Sequence, residues 1–152
     1  MRPNVGFLVH DVARLMRKRF EQRVRSLDLT RSQWQVLAKL ALNEGVHQKV
    51  LAELLEIESI TLVRILDKMQ DRGLIERRRH PTDRRLSLLF LTPAARPVLE
   101  VMRALGEQTR LEAMADFTEA ESDQLMQMLT RMREQLLHAC TLPIDTEDAE
   151  HE

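Results

Sequence analysis

At 152 residues, the chain is sized for one domain, or for one small domain with a helical extension. It is long enough to bury about two-thirds of its unfolded surface, so folding requires neither metal nor disulfide. The single cysteine, Cys140, excludes an internal disulfide and fits a reducing compartment.

The net charge of -1 does not by itself announce a nucleic-acid partner, but the charge is segregated. From Arg64 to Arg85, eight basic residues stand against four acidic ones, whereas the last twelve residues carry five acids and no Lys or Arg. The apolar run Val5 to Val9 is interrupted by His10 and Asp11 and is too short for a signal sequence. No stretch approaches the ~20 apolar residues that span a membrane. The expected location is the cytoplasm, without membrane attachment.

Val5 to Leu27 places Leu8, Val12, Leu15, Met16, Phe20, Val24 and Leu27 at helical spacing, which predicts a long amphipathic helix. Its polar side carries Arg14, Arg17, Lys18, Arg19, Arg23 and Arg25. That run reads equally as a solvated face or as a surface for phosphate or an anionic ligand. After a break at Asp28-Leu29, Thr30 and Gln33 form a capping box for a second helix through Trp34, Leu37, Leu40 and Ala41, ended by Asn43-Glu44-Gly45. A third, short helix is predicted from Gln48 to Leu55 with Leu51, Leu54 and Leu55 inward. A fourth runs from Ile60 to Arg72 and stops at Gly73. Two short helices joined by a few residues make a helix-turn-helix unit.

The fourth helix divides by face. Leu62, Ile65, Leu66 and Met69 fall at i, i+3, i+4 and i+7, while Thr61, Arg64 and Lys68 fall opposite. Short polar and basic side chains near a helix start are what a recognition helix presents to base edges. Arg64 suits a guanine, Ser59 and Thr61 a base or phosphate, and Ile60 a thymine methyl. Between Leu74 and Leu91 the period changes to two strand-like runs, Leu74–Arg79 and Arg85–Leu91, around a polar segment containing Pro81. This predicts a hairpin. Helix-turn-helix followed by a hairpin is a winged-helix arrangement. Arg84 at its tip suits a narrow minor groove, with Asp83 paired to Arg85 as a local brace.

Thr92 and Pro93 are read as the cap and first residue of a further helix, continued by Val98, Met102, Leu105 and Thr109. Phe117 breaks the pattern. Thr118 with Glu121 makes a second capping box, followed by a last helix lined by Leu125, Met128, Leu129, Met132, Leu136 and Cys140. The reading is a mainly α protein with a small β-hairpin wing. It comprises an N-terminal dimerisation helix (1–29), a winged helix-turn-helix domain (30–92), C-terminal dimerisation helices (93–140) and an acidic, disordered tail (141–152). The apolar stripes at both ends exceed what the small central domain covers, which points to a dimer interface. Several of the eight Met residues lie there and suit an adaptable surface.

These segments resemble the MarR family of winged-helix regulators. The likeness rests on Ile57 to Arg64, Leu66-Asp67 through Arg72-Gly73-Leu74-Ile75, Asp83-Arg84-Arg85, Leu91-Thr92, and upstream Leu29-Thr30 through Trp34-Gln35-Val36-Leu37. It covers roughly residues 7 to 140 and is nearest the SlyA-like branch, from which Ile60 departs where Pro is more usual. The resemblance implies a homodimer with intertwined terminal helices on a pseudo-palindromic double-stranded operator. It implies a role for Arg64 in the recognition helix and for Arg84 in the wing tip, with Asp83 bracing. It also implies release from DNA by a small anionic aromatic ligand, with Arg14 and Trp34 as candidate effector contacts. Repression is the commoner role, and activation by displacing other DNA-bound proteins is the alternative.

Other classes are weaker. A thiol sensor would have to use Cys140 at the end of the last helix, in a chain with no Tyr. His10, His47, His80, His138 and His151 show no metal-ligand spacing, so neither metal nor other cofactor is expected. No nucleophile–base pairing or phosphate loop asks for an enzyme. A winged helix that binds only proteins would be marked by insensitivity of its binding to salt.

Overall fold

The computed structural model describes residues 4–144; the acidic part of the expected tail, 145–152, lies outside the described residues. The chain forms two units, 1–113 and 114–152.

In the first unit, helix α1 (Val5–Val24) opens under Asn4, whose side chain accepts from the Phe7 N–H. The α-helix is shorter than the periodicity predicts. Arg25–Leu27 tighten into a 3₁₀ turn, closed by Asp28 in the left-handed region at φ 51°. Only the C-terminal half of α1 reaches the core, through Phe20 and Val24, while Leu8, Val12 and Leu15 are exposed.

Helix α2 (Arg31–Leu42) begins with the capping box in both directions: Gln33 N–H donates to Thr30 Oγ1, and Thr30 N–H donates to Gln33 Oε1. Val36, Leu37 and Leu40 are buried, whereas Ala41 lies on the exposed side. Gly45 then takes φ 84°, and its N–H donates to Leu89 O at 2.8 Å. Leu89 N–H returns to Val46 O at 3.0 Å, so this connection lies along the edge of the wing.

Helix α3 (Gln48–Leu55) is capped by His47, whose Nδ1 accepts from Lys49 N–H. Leu51 and Ala52 are buried and Leu55 packs on the core, but Leu54 is 41% exposed, against the expectation. Successive residues turn by about 100°, and with Leu51, Ala52 and Leu55 setting the inward direction Leu54 falls on the flank. Helix α4 (Ser59–Asp71) starts one residue earlier than expected and buries Leu62, Leu66 and Met69.

Gly73 at φ 72° turns the chain into β1 (Ile75–Arg79), which pairs antiparallel with β2 (Ser87–Leu91) in the register Ile75↔Leu91 to Arg79↔Ser87. The second strand is shorter than predicted, because Arg85 and Leu86 belong to the turn. Helix α5 (Ala95–Ala113) starts two residues after Pro93. Thr92 is not its side-chain cap. The Thr92 hydroxyl donates instead to the Gly73 carbonyl at 2.5 Å, tying the end of the wing to its beginning.

One cluster holds these elements together: Val36, Leu37, Leu40, Leu51, Leu62, Leu66, Met69, Ile75, Leu89 and their neighbours. Each fully buried Leu contributes about 1.5–3 kcal/mol. Helix α5 adds Ala95 and Met102. It is clasped to α1 by Arg19 and Arg23, which both pair with Glu112, while Arg23 also donates to the buried Thr109 hydroxyl.

The second unit is built on helix α6 (Glu119–Ala139), started by a reciprocal capping box between Thr118 and Glu121. No residue of α6 is buried. Leu136 and Leu137 are more than half exposed.

Candidate nucleic-acid interface

Helix α4 is held from its apolar side by Leu62, Leu66 and Met69, which fixes what it turns outward. Ser59, Ile60 and Thr61 form an exposed first turn, with Ile60 62% exposed. Arg64 and Lys68 continue that exposed face, and neither forms an ion pair among the described residues. Glu58 precedes the helix without a side-chain cap bond, which leaves the first N–H groups of α4 open to an acceptor.

The wing separates its arginines by strand alternation. Arg77 turns toward α4. Its guanidinium donates to Asp67 Oδ1 at 2.7 Å, to Gln70 Oε1 at 2.8 Å and to the Val63 carbonyl at 3.3 Å. Arg78, on the other face, lies 4.0 Å from the centre of the Phe90 ring and pairs with Glu76, a cation–π contact. Arg79 is exposed.

At the turn, His80 Nδ1 accepts from the Thr82 and Asp83 N–H groups, both at 3.2 Å. Asp83 accepts from Arg85 three times, from its backbone N–H at 3.0 Å and from Nε and Nη2 at 3.1 Å. These bonds, the side-chain ones first, hold the Asp83 carboxyl below its ordinary pKa. Arg84 stands between them, exposed and without an ion pair among the described residues. The site therefore brings Ile60, Thr61, Arg64 and Lys68 together on one helix face, with Ser59 exposed at the helix start but turned away from that face, and Asp83, Arg84 and Arg85 together on one turn. The basic segment is narrower than its sequence: Arg77, Arg78 and Arg85 are engaged by Asp67, Glu76 and Asp83.

Arg14 and Trp34 are not brought together. Arg14 lines an open, cation-rich groove with Arg17, Lys18, Arg25 and Arg31, where Glu21 pairs with Arg31. Trp34 does not line that groove. Its ring meets Phe20 edge-on, with centroids 4.8 Å apart, and its buried Nε1 has no acceptor among the described residues. Cys140 is exposed at the C-terminal end of α6.

Sequence reasoning missed the bracing roles of Arg72, Arg77 and His80. Arg72 Nη1 donates to Asp28 O at 2.8 Å and to the buried Gln33 side chain at 3.2 Å, tying the end of α4 to the start of α2. The only signal for Arg77 lay in the motif following Gly73, which does not reveal where the side chain goes. Among the described residues no group of three or more His, Cys, Asp or Glu could hold a metal ion, and no helix is long and apolar enough to cross a membrane.

Residues 27–86 match the model of the MarR family. The fold is shared with wild-type MarR from E. coli in its apo form, 25% identical, at a TM-score of 0.77 over 87% of this chain and 98% of that one. It is shared with an E. coli MarR mutant complexed with operator DNA, 26% identical, at 0.69 over 84% and 92%. A MarR transcriptional regulator from Methanosarcina mazei Go1 has the same fold at 21% identity, with a TM-score of 0.79 over 89% and 97%. The matched segment runs from the end of α1 through the wing turn and so contains the exposed face of α4 and Asp83-Arg84-Arg85. Over residues 27–86 the chain is similar to the MarR family, and its fold is the one those MarR structures share.

Proposed function

We propose that the protein is a homodimeric regulator that binds a pseudo-palindromic site in double-stranded DNA, one α4 per half-site, and acts as a repressor in the cytoplasm. The observation that carries the reading is the pairing of two exposed basic elements on one rigid domain. Thr61, Arg64 and Lys68 face outward on α4, and Arg84 projects from a turn braced on both sides. The helix face reads base edges in the major groove. Arg84 enters the adjacent minor groove, where the potential is most negative. Ser59, Thr61, Lys68 and Arg85 contact phosphates or bases, and Asp83 keeps the tip in shape. Residues 30–92 form the DNA-binding part.

Dimerisation is supported by two separate exposures. In the first unit Phe7, Leu8, Val12 and Leu15 of α1 are each close to half exposed or more. In the second unit α6 buries nothing. Apolar stripes of that extent are ordinarily covered, and we assign residues 1–29 and 93–140 to that interface.

For the effector we retain a small aromatic carboxylate. Arg14 and its neighbouring cations supply the charge, whereas the Trp34 indole, packed on Phe20 and not lining that groove, is core rather than an effector contact. Fluorescent duplexes from the protein's own promoter region, titrated against scrambled DNA at several salt concentrations, test the reading. Expected is a preference for one native pseudo-palindrome, with affinity falling steeply as salt rises. Salicylate should then lower that affinity, less so in Arg14→Ala. Binding that ignores both sequence and salt would overturn the proposal.

A further inference from the structure

Arg77 carries the polar contacts that join the wing to α4. Its partners Val63, Asp67 and Gln70 are spaced i, i+4 and i+7 and so share one stripe of the helix. At about 100° per residue, that stripe lies roughly a third of a turn from Thr61, Arg64 and Lys68, and roughly a quarter turn from the buried stripe of Leu62, Leu66 and Met69. Arg77 therefore grips α4 on the flank between its buried stripe and its exposed basic face, without occupying the latter. Its own strand position pairs with Leu89, which is fully buried, so the arm of the grip is anchored. The guanidinium is planar and its donors are fixed in a fork, so several simultaneous acceptors set an orientation as well as a distance.

We propose that Arg77 is a positioning residue of the DNA reader. It locks the wing against α4, so that Arg84 and Arg64 meet a duplex as one rigid pair, and it sets the preference for operator over other DNA rather than the general affinity for DNA. This rests on the DNA-binding reading above. Non-specific binding is attraction to phosphates and tolerates a wing that swings. Specific binding needs base contacts and groove insertion at the same moment, and a loose wing must be ordered each time.

The test titrates wild type, Arg77→Met, Asp67→Asn, Arg84→Ala and the Arg77→Met/Arg84→Ala double variant. The probes are the native promoter duplex that wild type prefers and a scrambled duplex, at several salt concentrations, with the melting temperature of each protein. Arg77→Met should lower native-duplex affinity about tenfold or more while changing scrambled-duplex affinity much less. Arg84→Ala should cost less in the Arg77→Met background than alone, the signature of coupled residues. Asp67→Asn is decisive where Arg77→Met fails to fold, because it removes an exposed partner and adds net positive charge. Positioning predicts that it lowers the preference for the native duplex. A plain phosphate contact by Arg77 predicts that it tightens binding to both duplexes. Equal losses on both duplexes in Arg77→Met, or an unchanged preference in both single variants, overturn the inference and leave DNA binding standing. A wild type that prefers no native duplex overturns the DNA-binding reading, and this inference with it.

Discussion

Truncating the wing-tip arginine, Arg84→Ala, separates function from stability. Arg84 is exposed and forms no ion pair among the described residues, and the turn is shaped by its neighbours, through His80, Asp83 and Arg85. Its removal should change folding stability by less than about 0.5 kcal/mol, as at an ordinary surface position. At roughly 2–4 °C per kcal/mol for a chain of this size, the melting midpoint stays within about 2 °C. The loss appears on DNA instead, at about 1–3 kcal/mol per half-site, or roughly five- to 150-fold. In a symmetric complex both wings are truncated, and two distant sites add to about 2–6 kcal/mol. Fluorescence anisotropy on the preferred native duplex measures the loss, and differential scanning fluorimetry measures the midpoint. Unchanged affinity with an intact fold would refute the wing's part in DNA binding. A large drop in midpoint would show instead that Arg84 holds the turn together.

Three further outcomes follow from particular contacts. Leu66→Ala removes a fully buried side chain from the inner face of α4 and should cost about 2–5 kcal/mol, read as a lower urea midpoint at unchanged slope; a cost under 1 kcal/mol would contradict the packing of α4. The Arg19 and Arg23 guanidiniums hold the Glu112 carboxyl at about 2, down from 4.5. Its stabilising contribution is therefore present above pH 4.5 and is lost as the pH falls toward 2. Glu112→Gln should melt with a shallower dependence on pH than wild type across that window, and parallel curves would show that the clasp between α1 and α5 contributes nothing. Peroxide should change DNA binding no more in wild type than in Cys140→Ser; a loss in wild type that Cys140→Ser prevents would favour the thiol-sensor alternative despite the position of Cys140 at the end of α6.

Features set by near neighbours in the chain were legible in the residues. The capping boxes at Thr30 and Thr118 each involve a partner three residues on. The inner stripe of α4 follows from 3.6-residue periodicity, and Gly45 and Gly73 take the positive φ that their places in turns require. The exposed face of α4 and the location of the wing turn come from the same local rules, which is why the candidate DNA-contacting residues could be named in advance.

Tertiary structure decided which charges are free. Spacing along the chain singles out Arg64, Arg84 and the Asp83–Arg85 pair, but it does not say which of Arg72, Arg77, Arg78 and Arg79 find partners. Folding engages Arg77 with Asp67 and Arg78 with Glu76, ties Arg72 to a carbonyl 44 residues away, and leaves Arg64 and Arg84 outward. It also placed the Thr92 hydroxyl against the Gly73 carbonyl across the base of the hairpin, a contact 19 residues apart in the chain. The sequence by itself determined the elements and the faces they present. Only the tertiary structure determined which basic side chains are engaged internally and which remain exposed, because a guanidinium's partners are chosen by distance in space and not by spacing along the chain.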